Sequence, residues 1–95
     1  MNYKLEFRNG IKKDFISVGK QEAIKIKKYL DKFALAFCNE YEKELLKSKK
    51  IKPLKGKFKG LYRIRLRTFR VIYEKKEDYL IILVLRIGHR KSVYR

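Results

Sequence analysis

The chain has 95 residues, of which 45% are hydrophobic, and it carries a formal net charge of +17 at pH 7. A chain of this length is expected to form one domain, covering residues 1–95, and its hydrophobic content argues against intrinsic disorder. No apolar run approaches the roughly 20 residues of a membrane-spanning helix. The high positive charge predicts a polyanionic partner such as nucleic acid.

The first predicted element is a short strand, in which Tyr3, Leu5 and Phe7 alternate with polar residues. This alternation does not resemble the apolar core of a signal peptide. The single cysteine, Cys38, excludes an internal disulfide and suits a reducing compartment. We therefore expect a cytoplasmic protein.

Two helices are predicted next. Residues 11–18 carry apolar side chains at helical spacing, and Gly19 is a typical helix end. A longer helix is predicted over roughly residues 20–47, and Cys38 falls on its apolar stripe, which favours packing over reactivity. Two helices joined by a short turn predict a helical hairpin that lies on a sheet.

Residues 48–59 are predicted to form a basic loop, because Pro53 and Gly56 exclude a continuous helix. For any single lysine of this loop, a solvated connector is the favoured interpretation. As a group, the lysines can steer RNA by long-range attraction. The loop lysines predicted to bind RNA are Lys49, Lys50, Lys52 and Lys55.

Residues 61–73 are predicted to form a β-hairpin with a tight turn at residues 67–68. Apolar and basic side chains alternate along it with period two, so one face can join a core. Arg63, Arg65 and Arg70 then lie together on the other face. A guanidinium matches a phosphate group in a two-pronged way, which makes this face a candidate phosphate site.

The chain ends with an almost unbroken apolar run over residues 80–87, typical of a central strand, and a basic tail that contains Arg90 and Tyr94. We therefore predict an α+β domain of order β-α-α-β-β-β. Its largely antiparallel, four-stranded sheet would pack two helices on one face. The other face would stay open as a groove for single-stranded RNA.

The positive charge is concentrated in the half of the chain that forms this face. Residues 47–95 hold 17 Lys/Arg against 3 Asp/Glu, a net of +14, whereas residues 1–46 hold 10 against 7, a net of +3. An anionic membrane is the weaker alternative partner, because the basic residues lie on predicted strands rather than on an amphipathic helix.

Three groups of sequence motifs in this half of the chain follow each other in the same order as in a known protein family. They are Pro53-Leu54-Lys55-Gly56, the hairpin motifs Leu61-Tyr62-Arg63-Ile64-Arg65 and Phe69-Arg70-Val71-Ile72-Tyr73, and the ending Gly88-His89-Arg90 with Val93-Tyr94. Together they resemble the RelE/ParE toxin family of bacterial toxin–antitoxin systems. The resemblance covers essentially the whole chain.

This resemblance implies a toxin that pairs with a cognate acidic antitoxin and needs no cofactor. RelE-like members cut messenger RNA, typically in the ribosomal A site, whereas ParE-like members inhibit DNA gyrase and lack the nuclease residues. The positions that resemble the RelE-like nuclease site are Arg63, Arg65, Arg70, Arg90 and Tyr94. This sequence departs from the RelE-like pattern in two respects. The positions of Arg63 and Arg65 are often Lys in the nuclease, and the spacing from Arg90 to Tyr94 is shorter than in some members.

The chemistry that the resemblance implies is attack by the 2′-hydroxyl of RNA on the adjacent phosphate, giving a 2′,3′-cyclic phosphate and a 5′-hydroxyl. Tyr94 would act as general base, and Arg63 and Arg65 would stabilise its phenolate. Arg70 would brace the phosphorane, and Arg90 would stabilise charge at the leaving oxygen. The sequence shows no carboxylate cluster for Mg²⁺.

His89, the only histidine, is predicted to bind RNA, with a structural hydrogen-bonding role as the alternative. Two other functions stay open beside the RelE-like endoribonuclease. One is a ParE-like, non-enzymatic gyrase inhibitor, and the other is a non-catalytic RNA-binding module.

Overall fold

The computed structural model describes residues 2–94. Its helices and strands, in chain order, are β1 (Lys4–Phe7), α1 (Ile11–Val18), α2 (Lys20–Ala36), α3 (Asn39–Lys47), β2 (Ile51–Pro53), β3 (Tyr62–Leu66), β4 (Phe69–Lys76) and β5 (Ile81–His89). Two 3₁₀ turns, Gly56–Phe58 and Glu77–Tyr79, interrupt the loops. Within the described residues, no helix is both long and apolar enough to cross a membrane.

The strands form one sheet in the order β1-β5-β4-β3-β2, with β1 parallel to β5 and every other pair antiparallel. The predicted α+β class and the largely antiparallel sheet are confirmed, and so is the inner position of the strand after residue 80. The predicted count of four strands is wrong. The extra strand is β2, whose three residues are too few to show an alternating pattern, and Pro53 is tolerated because β2 lies at the sheet edge.

The single long helix predicted over residues 20–47 is also wrong, because the structure divides it into α2 and α3. Phe37 leaves the helical path with φ −65° and ψ 125°, and its ring packs edge-on against Tyr3 at a centroid distance of 4.9 Å. The break buries Phe37, which is 4% exposed, and turns Cys38 outward. The predicted packing role of Cys38 is therefore wrong.

The core lies between the helices and the inner face of the sheet. Leu30 and Phe33 of α2 meet Ile64 and Tyr73 of the hairpin, and all four side chains are at most 1% exposed. Phe33 and Tyr73 pack edge to face with ring centroids 5.5 Å apart. Full burial of an aliphatic or aromatic side chain contributes about 1.5–3 kcal/mol, so these four side chains stabilise the packing of α2 on the hairpin.

A β-bulge changes which side chains of β5 face the core. Ile72 pairs with Arg86 and Tyr73 pairs with Val84, so Leu85 is an extra residue on β5. Strict alternation from Val84 would send Arg86 inward. The bulge shifts the parity by one residue, so Arg86 joins the outer face.

The outer face is only partly open, contrary to the prediction. Ile72 belongs to it by register but is 1% exposed, and Val93 from the C-terminal turn is 5% exposed. A β-carbon added to Gly88 would lie 3.6 Å from that of Val93, so the turn packs directly on the sheet. The remaining open part is a cleft beside this turn.

Candidate functional site

Cross-strand pairing builds two rows of side chains on the outer face. In the first row, Lys52 stands opposite Arg63, which stands opposite Ile72, which stands opposite Arg86. Directly opposed residues of antiparallel strands have their β-carbons only about 4.5–5.5 Å apart. The row therefore brings three cations into a line across four strands.

The second row runs parallel to the first. Arg65 stands opposite Arg70, and Arg70 stands opposite Gly88. Like charges placed directly opposite each other destabilise a sheet. An anion bound between Arg65 and Arg70 relieves this repulsion, so the row favours a phosphate ligand.

Four side chains of these rows line one side of a cleft of about 700 Å³, which we call the arginine cleft; they are Lys52, Arg63, Arg65 and Arg70. The C-terminal turn and the segment after β2 form its other sides. All five residues predicted to be catalytic line it. The lining residues are Lys52, Pro53, Leu54, Lys55, Arg63, Arg65, Arg70, Arg90, Lys91 and Tyr94.

Arg70 is held in place by the hairpin turn. Its Nη1 donates hydrogen bonds to the carbonyl oxygens of Arg67 and Phe69, at 2.7 and 2.9 Å. Burial lowers the pKa of Arg70, and the charge of Arg63 lowers it further. The pKa of a guanidinium lies so high that Arg70 stays charged at neutral pH.

Tyr94 enters the cleft from the C-terminal turn. The amide of Arg90 donates to the carbonyl of Thr68 at 2.8 Å, which ties the start of this turn to the hairpin. The Tyr94 ring is 36% exposed and packs edge-on against Phe58 at 5.8 Å. The phenol is close enough to Arg70 to oppose the lowering of the Arg70 pKa.

A family model described as the ParE toxin of the type II toxin–antitoxin system, parDE, matches residues 5–94. This chain belongs to that family. The resemblance to RelE/ParE toxins is thereby confirmed, and the protein is a toxin of the type II class.

The toxin is also similar to a curated protein. Toxin RelG of Mycobacterium tuberculosis is 32% identical over 44 residues, which are 46% of this chain and 51% of RelG. The chain thus spans about half the length of this curated relative.

Solved structures share the fold over nearly the whole chain. The RelE–RelB complex of Pyrococcus horikoshii matches with a TM-score of 0.69 and 23% identity, covering 98% of this chain and 100% of the other. The RelB–RelE complex of Methanococcus jannaschii matches with a TM-score of 0.65 and 26% identity, covering 94% of each chain.

The lysines predicted to bind RNA divide into two groups in this toxin. Lys52 and Lys55 line the arginine cleft. Lys49 lies in the turn before β2, with φ +65°, and Lys50 places its ammonium 5.2 Å from the centroid of the Tyr29 ring on the helical side. Burial lowers the pKa of Lys50, and the charges of Arg65 and Arg70 lower it further. Lys49 and Lys50 are therefore neighbours of the cleft and not part of its lining.

The structure does not bring His89 into the arginine cleft. His89 pairs with Phe69, which belongs to the inner set of side chains, and the two rings meet edge-on at 6.1 Å. His89 lines a separate pocket of about 570 Å³ beside Asp14, whose carboxylate accepts the amide proton of Ile87 at 2.9 Å. The carbonyl of His89 accepts hydrogen bonds from the C-terminal turn, so a structural role is visible for its backbone.

Three residues near the site were missed by the sequence analysis. Lys91 lines the cleft, Arg86 extends the first basic row, and Phe58 contacts Tyr94. One signal was available for Arg86, since it is the one charged residue in the apolar run of residues 80–87. Among the described residues, no three His, Cys, Asp or Glu side chains come together as a metal site.

Proposed function

We propose that this toxin is an endoribonuclease that cleaves messenger RNA in the ribosomal A site without a metal ion. The 2′-hydroxyl would attack the neighbouring phosphate and leave a 2′,3′-cyclic phosphate and a 5′-hydroxyl. The observation that supports the proposal is the convergence of Arg63, Arg65, Arg70, Arg90 and Tyr94 on one cleft.

The cleft is suited to bind an RNA backbone. Of its ten lining residues, seven are Lys or Arg and none is acidic. Arginine pairs with phosphate through parallel hydrogen bonds, and rigid strands hold Arg63 and Arg65 at fixed spacing. The backbone would lie along Arg63 and Arg65 and bring one phosphate next to Tyr94.

Proton removal is the role that we assign to Tyr94. An ordinary phenol titrates near about 10, so only about one in a thousand is ionised at pH 7. Fixed cations beside a phenol favour its phenolate form, and Tyr94 lies within electrostatic reach of Arg70. The phenolate would take the 2′-hydroxyl proton as the oxygen attacks phosphorus.

Charge stabilisation is the role that we assign to the arginines. The phosphorane carries more negative charge than the bound phosphate, so fixed cations favour it over the ground state. Arg70 is anchored at the turn and needs little reorganisation. Arg63 and Arg65 would act with it, and Arg90 would stabilise the leaving 5′-oxygen.

We also propose that a cognate acidic antitoxin covers the arginine cleft and that the toxin acts in the cytoplasm. The RelE proteins of P. horikoshii and M. jannaschii were each solved in complex with RelB. A net charge of +17 favours an acidic partner and fast, salt-sensitive association. An antitoxin that bound the toxin and left RNA cleavage intact would contradict this arrangement.

Inhibition of DNA gyrase, the activity of ParE-like members, is the second candidate function. It is kept because the family model that matches the chain is named for the ParE toxin. Under this alternative the cleft would bind no RNA, and Tyr94 would have no catalytic role. A non-catalytic RNA-binding module is a third outcome, in which the arginines bind RNA and no bond is cut.

Mapping of 5′ ends of messenger RNA after induction of the toxin distinguishes these functions. We expect new ends with 5′-hydroxyl groups at codon-registered positions. The matched control is Tyr94→Phe expressed at the same level, which should give few such ends. Intact messenger RNA with DNA breaks would support gyrase inhibition, and intact messenger RNA bound by the protein would support the binding module.

A further inference from the structure

We propose that Phe58 and Arg86 are positioning residues that hold the C-terminal turn, and with it the Tyr94 ring, against the arginine cleft. The inference rests on the proposed function in one respect, namely that Tyr94 is the base. Neither residue is assigned contact with RNA. Their effect on cleavage would pass through the placement of the Tyr94 hydroxyl.

Contacts join the two residues to the turn. The Phe58 ring packs edge-on against the Tyr94 ring, with centroids 5.8 Å apart and an interplanar angle of 69°. The Arg86 guanidinium carbon lies 5.4 Å from the centroid of Phe58, and Arg86 Nη1 donates a hydrogen bond to the Val93 carbonyl at 3.1 Å. Arg86 therefore contacts both the residue before Tyr94 and the ring that supports Tyr94.

Other contacts fix the path of the turn but not the direction of the tyrosine ring. The amides of Ser92 and Val93 both donate to the His89 carbonyl, at 2.9 and 3.0 Å. The Val93 side chain is 5% exposed and packs over Gly88. These contacts act on the backbone and on Val93, whereas the edge-on contact with Phe58 acts on the Tyr94 ring itself.

Local structure brings both positioning residues to this place from distant parts of the chain. Phe58 ends the 3₁₀ turn Gly56–Phe58, and Gly56 begins that turn with φ +65°, a left-handed conformation that glycine adopts without strain. Arg86 reaches the outer face because of the bulge at Leu85. A bulge that redirects one side chain beside a candidate site is a common structural device.

The expected effect is on the chemical step and not on binding. A catalytic group displaced by about 1 Å can lose about 100-fold in rate. We expect Phe58→Leu to lower the single-turnover rate by about 10- to 100-fold at saturating programmed ribosomes, with affinity for the ribosome little changed. Phe58→Tyr keeps the ring and should retain most of the rate. Arg86→Gln should behave like Phe58→Leu.

A double-mutant cycle tests whether Phe58 acts through the Tyr94 hydroxyl. If it does, Phe58→Leu combined with Tyr94→Phe should be no slower than Tyr94→Phe alone, within about twofold. Tyr79→Leu is the matched control, since Tyr79 is an aromatic residue that is 75% exposed and lies outside the cleft. Wild-type rates in Phe58→Leu, or two losses that multiply in the double variant, would overturn the inference.

A spectroscopic readout separates this inference from the proposed function. In protein labelled with ¹³C-tyrosine, the ring signal of Tyr94 is assigned by its loss in Tyr94→Phe. It should shift and narrow in Phe58→Leu and stay unchanged in Tyr79→Leu. If wild-type protein cuts no RNA, the proposed function fails, and the NMR result alone decides whether Phe58 holds the turn. An unchanged Tyr94 signal in Phe58→Leu would show that it does not.

Discussion

Arg65 and Arg70 stand directly opposite each other on β3 and β4, and both side chains line the arginine cleft. Like charges directly opposite each other destabilise a sheet. This cost falls on the free toxin and is relieved when a phosphate binds between the groups. The Arg65–Arg70 pair therefore lowers the stability of the free toxin and favours the binding of phosphate.

The first prediction follows from this opposition. Arg65→Gln should leave the melting temperature at low salt unchanged or raise it slightly, while it weakens RNA binding. In 1 M salt the Debye length falls to about 3 Å, so the stability difference from wild type should shrink. Thermal melts at both salt concentrations, together with filter binding, would measure this. A clear loss of stability at low salt would show that Arg65 makes a stabilising contact instead.

The second prediction concerns Arg70. Arg70→Ala should lower the rate of the chemical step by roughly 10²–10³-fold, because a fixed cation at the phosphorane is lost, and it should weaken binding less. Single-turnover cleavage on programmed ribosomes is the measurement. Arg67→Gln is the matched control, since it removes the same charge from the same hairpin outside the cleft lining. Equal losses of cleavage rate in both variants would show that only the overall positive charge matters and that Arg70 has no specific role at the phosphorane.

The third prediction concerns Tyr94. Tyr94→Phe removes one oxygen and keeps the ring against Phe58, so folding and antitoxin binding should be normal while cleavage is strongly impaired. Single-turnover cleavage on programmed ribosomes measures the rate, and thermal melts are the folding control. A variant that cleaves at the wild-type rate would remove Tyr94 from the mechanism.

The fourth prediction separates RNA association from cleavage. Lys49 and Lys50 lie beside the arginine cleft but outside its lining. Lys49→Ala and Lys50→Ala together should weaken ribosome association and reduce its salt slope by up to about two units. The cleavage rate at saturation should barely change. A large fall in that rate would mean that one of these lysines reaches the reacting phosphate.

The fifth prediction concerns a largely buried ion pair between α3 and β4. Lys75 donates a hydrogen bond to Glu42 at 2.9 Å, and the two side chains are only 16% and 13% exposed. Glu42→Gln should therefore lower the free energy of unfolding by about 1.5–3 kcal/mol. Asp31→Asn, which breaks the half-exposed pair with Lys27, should cost no more than about 0.5 kcal/mol. Urea unfolding at pH 7 measures both.

The pH dependence of this pair has a definite sign. Burial acts to lower the pKa of Lys75, but its hydrogen bond to Glu42 and the charge of Glu42 outweigh burial, so the folded-state pKa is raised. A raised pKa means that the contribution is fully present below the unfolded value of about 10.4 and is lost as pH rises through the folded value. The difference between wild type and Glu42→Gln should thus be constant between pH 7 and 9 and shrink above pH 10.5. A difference that already shrinks below pH 9 would contradict the raised pKa.

The sequence alone was sufficient to place Arg63, Arg65 and Arg70 on one face. Side chains of a strand alternate with period two, and a two-residue turn joins two strands whose registers then agree. The buried positions of Ile64 and Val71 confirm this alternation. Local information decides such a hairpin, because its two strands are neighbours in the chain.

Other features depended on contacts between distant parts of the chain, and the sequence pattern does not contain them. The bulge at Leu85 is set by pairing between β4 and β5, and it reverses the direction expected for Arg86. The break after α2 follows from the packing of Phe37 against Tyr3, more than 30 residues away. Only the tertiary structure decided that His89 lies outside the arginine cleft, against Phe69, and that Phe58 contacts Tyr94. The reason is that turns and loops have no periodicity from which the direction of a side chain can be derived.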